Sequence, residues 1–210
     1  MLLEAERTLI VHYARRLRPD GLVVGTAGNL SARVDDLIAI TPSSVDYDAL
    51  EPGLICVVGL DGRLVDAERL PPSELPMHLA VYGATSAGAI VHTHSPYATA
   101  LATVVQELPA IHYMIAELGG PIRVAPYATF GTEALASGVV EALRGRSAVL
   151  LESHGTLATG ITIEQAYRRS VLLEWLSALY HRASLVGDPK LLPDDEIARV
   201  ADALHALPSE

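Results

Sequence analysis

Cysteine, long apolar runs and basic residues are all scarce in this chain of 210 residues, and each scarcity excludes a class of protein. Cys56 is the only cysteine, so no intrachain disulfide can form, and its apolar neighbours indicate a buried strand thiol. No apolar run approaches the roughly 20 residues that a membrane-spanning helix needs. Acidic residues outnumber basic ones by 25 to 15, which argues against nucleic-acid binding, because such binding relies on a basic surface.

Common cofactor and targeting motifs are missing as well. No GxGxxG follows a predicted strand and no GxxxxGK[ST] occurs, so nicotinamide and P-loop chemistry have no support. The first segment carries Glu4, Glu6 and Arg7 where a secretory signal would be apolar. Together with the single cysteine, this favours a cytoplasmic protein. The length favours a single domain over residues 1–210.

Helical and strand patterns alternate along the chain. The turns Asp35-Asp36 and Asp61-Gly62 predict two hairpins in the first third. Helices are predicted over residues 3–18, 74–82, 97–105, 132–143, 162–185 and 194–204, and further strands over 89–94, 122–125 and 148–151. Thr162 and Gln165 have the spacing of a capping box at the start of the helix over 162–185. The early hairpins favour a mixed sheet with helices on both faces, which is an α/β sandwich.

Histidines stand at the ends of two predicted strands. His92 and His94 are two residues apart on an apolar strand, so their side chains project from one face. His154 ends a second apolar strand just before Gly155 and, beside that pair, is better explained as a third ligand than as a turn residue. Three imidazoles with an open position are typical of catalytic zinc, although iron, cobalt, nickel and manganese also suit imidazole.

Glu74 opens a predicted helix directly after Ser73, a candidate N-cap residue. Its carboxylate could stabilise the helix dipole or act as an acid/base group beside a metal, and spacing alone leaves both interpretations open. His78 lies one turn later on the same helix and could support the site. The small polar turns Gly28-Asn29 and Ser43-Ser44 could present donors to an anion or be ordinary turns.

Together, these segments resemble the class II aldolase/adducin family, and in particular its fuculose-phosphate aldolase branch. The resemblance is carried by the stretches GTAGNLSAR, ITPSSVDYDAL, PPSELPMHLAVY, AIVHTHSPYATALA, PAIHYMIAELGGPIRVAPYATFGT and LLESHGTLATG. It implies a three-layer α/β sandwich, with a central, mostly antiparallel β-sheet flanked by helices. It also implies a homotetramer with active sites between subunits.

The resemblance implies roles for particular residues. One Zn²⁺ per subunit would be held by His92, His94 and His154, other divalent metals being possible. Glu74 would be a further metal ligand and the acid/base group, and Tyr113 would help to protonate the aldehyde oxygen. The substrate phosphate would bind to Gly28, Asn29, Ser43, Ser44 and Ser73.

These roles predict reversible cleavage of a ketose 1-phosphate, such as L-fuculose 1-phosphate, to dihydroxyacetone phosphate and L-lactaldehyde. A 5-deoxypentulose-phosphate aldolase, a pentulose-phosphate epimerase or a decarboxylase would use the same histidines, but the epimerases carry Asp in place of Glu74. An adducin-like interaction module would lack the metal ligands. Two departures from the branch bear on the substrate: Pro72 replaces a serine, and no tyrosine follows Tyr180.

Overall fold

A nine-stranded sheet runs through the computed structural model, which describes residues 1–206. The last four residues, at the chain end where the branch carries a tyrosine, lie outside the described residues. The strands are β1 (Asn29–Val34), β2 (Leu37–Ile40), β3 (Cys56–Gly59), β4 (Leu64–Asp66), β5 (Ala89–Thr93), β6 (Glu107–Leu108), β7 (Ile122–Ala125), β8 (Ala148–Leu151) and β9 (Gly155–Gly160). Their order is β4-β3-β2-β1-β5-β9-β8-β7-β6. Among the pairings of residues 1–206 only β7 with β8 is parallel, which confirms the mostly antiparallel sheet.

Helices cover both faces of this sheet. They are α1 (Glu4–Leu17), α2 (Leu75–Ala84), α3 (Pro96–Ala102), α4 (Glu133–Leu143), α5 (Ile163–Val186) and α6 (Asp194–His205), with 3₁₀ turns at Tyr47–Ala49, Pro52–Leu54 and Tyr113–Leu118. The helices α2 and α4 pack on one face, and α1, α3 and α5 pack on the other. The predicted α/β sandwich is confirmed. No helix within the described range is both long and apolar enough to cross a membrane.

The alternation of side chains along β5 determines which way its histidines point. Ile90 packs in the core beneath α2 and α4, whereas Ala89 and Val91 pack in the core beneath α1 and α5. Successive side chains of a strand point to opposite faces, so His92 shares the face of Ile90. The start of α2 lies over the same face. This arrangement brings a helix terminus to the histidine-bearing end of β5.

The ends of α5 and α2 show one prediction confirmed and one wrong. At α5, the Thr162 hydroxyl accepts the Gln165 N–H at 3.2 Å, as the capping-box spacing predicts. The Gln165 side chain accepts the Ile161 N–H at 2.8 Å, one residue before the N–H that a capping box would use. At α2, Ser73 is not the N-cap residue. Glu74 occupies that position and makes no side-chain cap hydrogen bond. Its carboxylate is therefore not used for capping.

Strand β9, in the middle of the sheet, was not among the predicted strands. It pairs with β5 on one side and β8 on the other, and all six of its residues are buried. Its sequence, GTLATG, contains two threonines that favour a strand, but it begins and ends with glycine and has no valine, isoleucine or aromatic residue, so its strand pattern is weak. Gly155 is required because a Cβ there would lie 2.1 Å from the Thr93 carbonyl oxygen.

Cys56 begins β3 and is fully buried, as its apolar neighbours predict. Burial raises the pKa of its thiol to about 11. The protonated thiol therefore predominates at neutral pH, and a catalytic role for Cys56 has no support.

Candidate metal centre

Four ligand-bearing side chains converge at one end of the sheet. Glu74 comes from the start of α2, His92 from β5, His94 from the residue after β5, and His154 from the turn between β8 and β9. One ligand atom of each lies within 4.8 Å of the other three. The sequence predicted these four residues as a metal site, and the fold brings all four together.

The individual distances describe a compact cluster. The Nε2 atom of His92 lies 3.1 Å from Nε2 of His94 and 3.1 Å from Oε2 of Glu74. The Nε2 atom of His154 lies 2.9 Å from the other carboxylate oxygen, Oε1. Oε1 is buried and has no hydrogen-bond partner. The three ring nitrogens and the carboxylate therefore face a common centre.

The tautomer of His92 suits a metal ligand. Its Nδ1 atom lies 2.7 Å from the backbone oxygen of Thr156, and a carbonyl oxygen can only accept, so Nδ1 carries a hydrogen. A neutral His92 then presents the Nε2 lone pair to the cluster. Lone pairs and carboxylate oxygens that converge in this way repel one another unless a cation lies between them. An N–H bonded to a backbone carbonyl is also the usual support of a metal-ligating histidine.

The electrostatic environment favours the protonation states that bind a metal. Burial alone would raise the pKa of Glu74, but His92, His154 and Asn29 lower it by more, so it falls below its usual range. Burial, followed by the neighbouring His92 and His154, lowers the pKa of His94 to about 4. An ionised carboxylate and neutral imidazoles are the ligand forms of these groups. The donor set of three nitrogens and one carboxylate fits zinc and several other divalent metals.

The two predicted anion-binding turns have different neighbours. Gly28 has φ of 81°, and a Cβ there would lie 2.7 Å from the backbone oxygen of His92. The Tyr47 hydroxyl donates to the backbone oxygens of Ala27 and Gly28, at 2.9 and 2.8 Å. The Ser43 N–H donates to the backbone oxygen of Leu70 at 2.9 Å, close in sequence to the segment before α2. The Gly28 turn therefore lies against β5, and the Ser43-Ser44 turn lies against the segment before α2.

The five residues predicted to bind phosphate differ in exposure. The hydroxyl-bearing residues Ser43, Ser44 and Ser73 are exposed, and Gly28 is half-buried. Asn29 is buried, and both ends of its amide are hydrogen-bonded, to Glu74 and to His78. A contact between Asn29 and phosphate would therefore come from its backbone. Phosphate binding by these residues stays a prediction.

A cavity of about 240 Å³ opens beside the metal ligands. Its lining consists of Ser73, Glu74, His94, Tyr127, Ala128, Phe130, Ser153 and His154. Sequence reasoning missed four of these residues, namely Tyr127, Ala128, Phe130 and Ser153. The signal that the sequence offered was the pair of aromatic residues in the short loop between β7 and α4. The structure shows that both rings are exposed.

Contacts at both ends hold this aromatic loop in place. The Tyr127 N–H donates to the Glu152 carboxylate at 2.9 Å, and Glu152 lies two residues before His154. At the other end, a Cβ on Gly131 would lie 2.8 Å from the backbone oxygen of Ser73, so only glycine permits this close approach. These two contacts connect the loop that carries Tyr127 and Phe130 to the segments that carry His154 and Glu74.

Tyr113 lies apart from this cavity. It is half-exposed at the start of the 3₁₀ turn Tyr113–Leu118, and it is not among the residues that line the cavity. Its ring stacks on His112 with the centroids 4.6 Å apart, and His112 in turn contacts Trp175 edge-on. Within one chain, Tyr113 is therefore not part of the cavity wall.

An α/β sandwich with three histidines and a glutamate at one end of its sheet defines a metal-dependent enzyme class. The chain belongs to the class II aldolase/adducin family, because the family model described as Class II Aldolase and Adducin N-terminal domain matches residues 8–181. The expected family and the expected class of enzyme, a class II aldolase, are confirmed.

Individual relatives agree with this assignment. The chain is 42% identical over 204 residues to a 5-deoxy-D-ribulose 1-phosphate aldolase from Bacillus thuringiensis serovar kurstaki, covering 96% of each chain. It is 40% identical over 185 residues to an L-fuculose phosphate aldolase from Escherichia coli K12, covering 87% of this chain and 86% of the relative. A solved structure of an L-fuculose 1-phosphate aldolase superposes with a TM-score of 0.95 at 39% identity, covering 98% of each chain.

Proposed function

We propose that this protein is a zinc-dependent aldolase that reversibly cleaves a ketose 1-phosphate to dihydroxyacetone phosphate and a short aldehyde. The observation that carries the proposal is the Glu74, His92, His94 and His154 cluster, which borders a cavity with aromatic walls beside two polar turns. L-Fuculose 1-phosphate is the first candidate substrate, with L-lactaldehyde as the aldehyde product. Two of the relatives are named for this substrate.

Zn²⁺ at this site would supply positive charge to stabilise the negative charge that develops on the ketone oxygen. In the direction of carbon–carbon bond formation, Glu74 takes a proton from the hydroxymethyl carbon of dihydroxyacetone phosphate. The exposed hydroxyls of Ser43, Ser44 and Ser73 bind the phosphate. Cleavage reverses the proton transfer, so Glu74 then returns the proton to that carbon.

Tyr113 requires a second subunit in this proposal. It would protonate the aldehyde oxygen during bond formation, yet it does not line the cavity of its own chain. A homotetramer with active sites between subunits would bring the Tyr113 of one chain to the cavity of another. We therefore extend the proposal to a cytoplasmic homotetramer of single-domain chains, each spanning residues 1–210.

A second candidate substrate is 5-deoxy-D-ribulose 1-phosphate, whose cleavage gives acetaldehyde. The supporting observation is the 42% identity to an aldolase named for that substrate, over 96% of each chain. Both candidates end in a methyl group at the aldehyde side. Phe130 and Tyr127 are each 63% exposed, and their rings line the cavity. Such apolar walls suit the methyl end of either aldehyde.

The test is a direct comparison of the two substrates with the zinc-loaded protein. Release of the aldehyde product, which is the same with and without the phosphate, is measured for each ketose 1-phosphate and for each unphosphorylated analogue. We expect cleavage of at least one phosphate ester and a lower kcat/KM for its unphosphorylated analogue. Cleavage of neither ester by zinc-loaded protein would reject the proposal.

Tyr47→Phe should raise KM for the phosphorylated substrate by about 2- to 10-fold and leave kcat within about twofold. The substitution removes the hydroxyl that holds the Ala27 and Gly28 carbonyls, so the adjacent turn loses its fixed position. Steady-state kinetics measure both constants. Tyr167→Phe is the matched control, because the Tyr167 hydroxyl binds Asp20 instead. An unchanged KM in Tyr47→Phe would show that this turn does not bind the phosphate.

Pro72→Ser tests the departure from the family's Ser-Ser-Glu sequence. Pro72 is buried, and its carbonyl accepts the Leu75 N–H at 3.1 Å, but it offers neither a hydroxyl nor an N–H. A serine there adds one donor beside Ser73, so we expect KM for the phosphate ester to fall by roughly 10-fold or more. Pro71→Ser, one position earlier, is the control. If Pro72→Ser changes neither KM nor the preference for the phosphate ester, this segment does not bind phosphate.

A further inference from the structure

A series of buried polar side chains extends from the metal cluster between α2 and β1. On the α2 side, Glu74, His78 and Tyr82 are spaced by four residues and lie on one helical face. On the β1 side, Asn29 and Ser31 are spaced by two residues and lie on one strand face. The two sets alternate along the series, and all five residues are less than 10% exposed.

The chemistry of the Glu74 carboxylate determines how the first hydrogen bonds run. A carboxylate only accepts, so the Asn29 Nδ2 group donates to Oε2 of Glu74, at 2.9 Å. The amide oxygen of Asn29 therefore faces the other way, 2.6 Å from Nε2 of His78. An amide oxygen also only accepts, so His78 carries its hydrogen on Nε2.

The remaining bonds follow from a neutral His78. His78 is fully buried, and its ring nitrogens contact the uncharged Asn29 amide and Ser31 hydroxyl, so its imidazole is neutral. Its Nδ1 then accepts the Ser31 hydroxyl hydrogen at 2.7 Å, and the Ser31 oxygen accepts the Tyr82 hydroxyl hydrogen at 2.7 Å. Every donor in the series thus points towards Glu74.

We infer that Tyr82, Ser31, His78 and Asn29 form a positioning relay that holds the Glu74 carboxylate at the metal cluster. The relay matters because the Asn29 amide has two orientations of similar shape. Only one directs its N–H to Glu74, and the His78 N–H stabilises that orientation. The reversed amide would place its oxygen against the carboxylate and repel it. The inference depends on the proposed metal site but not on the proposed substrate.

The first test compares zinc affinities by competition with a chromophoric chelator. His78→Leu removes the donor to Asn29, and we expect a 10- to 100-fold loss of zinc affinity, the usual effect of removing a residue that supports metal ligands. His78→Gln keeps an N–H donor and should recover most of that loss. Met77→Leu is a packing control at the neighbouring buried position on α2. Equal zinc affinities for His78→Leu and Met77→Leu would overturn the relay.

The second test observes the tautomer directly and does not depend on zinc affinity or catalysis. ¹⁵N NMR of the histidine rings, with His78 assigned by its loss in His78→Gln, should show hydrogen on Nε2 and none on Nδ1. A hydrogen on Nδ1 would overturn the inference. If His78→Leu does not fold, Tyr82→Phe replaces it, and its zinc affinity should fall by about 2- to 10-fold. An unchanged zinc affinity in Tyr82→Phe would then contradict the relay. Wild-type protein that binds no zinc would instead reject the proposed metal centre.

Discussion

Replacing His92, His94 or His154 by alanine should abolish stoichiometric metal binding and aldol cleavage. The structure brings all three imidazoles and Glu74 to one centre, so each substitution removes one of the four proposed ligands. Metal per chain is measured by elemental analysis and activity by release of dihydroxyacetone phosphate.

Folding should be affected less than metal binding, particularly in His154→Ala, because His154 lies in a turn and its side chain retains 11% exposure. Thermal unfolding of the metal-free proteins separates the two effects. His12→Ala, at an exposed position of α1, is the matched control and should keep both metal and activity. Full metal retention in His154→Ala would remove His154 from the ligand set.

Glu74→Gln should lower kcat by at least ~10²-fold, the usual range for loss of a general acid/base group. Glutamine preserves the shape and can still accept the Asn29 N–H, but it cannot take a proton from the substrate carbon. Three histidines remain, so bound metal should persist when zinc is supplied in excess. The measurement is kcat per bound zinc. Near-normal kcat in Glu74→Gln would show that another group transfers the proton.

The parts of the site that follow local chain geometry could be predicted from the sequence. The two-residue period predicts that His92 and His94 project to the same side, and their Nε2 atoms lie 3.1 Å apart, although His94 is the residue after β5. His154 was predicted from a strand ending before Gly155, and the turn after β8 places it there. The Thr162 cap of α5 was predicted from Thr162 and Gln165 for the same reason, since its bond joins near neighbours.

Features that depend on distant contacts could not be predicted. Strand β9 is central because β5 and β8 lie on either side of it, although the glycines at both of its ends weaken its strand pattern. The prediction that Ser73 is the N-cap residue was wrong, because Glu74 holds that position and the helix begins after it. Asn29 looked like part of an anion-binding turn, and its amide instead contacts Glu74, 45 residues away. No local pattern in the sequence encodes that pairing.

The place of the aromatic residues at the cavity could not be predicted from the sequence either. Tyr127 and Phe130 lie in a loop whose sequence pattern indicates only a connection between a strand and a helix. Their place beside the metal ligands depends on the Glu152 contact and on the close approach of Gly131 to Ser73. Both contacts require the folded chain.

The most direct test of the account is a titration of cleavage activity against bound zinc. Protein stripped of metal by a chelator is reloaded in steps, and the rate of dihydroxyacetone phosphate release is measured at each zinc content. The account predicts no activity without metal and a linear rise that saturates at about one zinc per chain. Full activity in the stripped protein, or binding of one zinc without any cleavage of either ketose 1-phosphate, would contradict it.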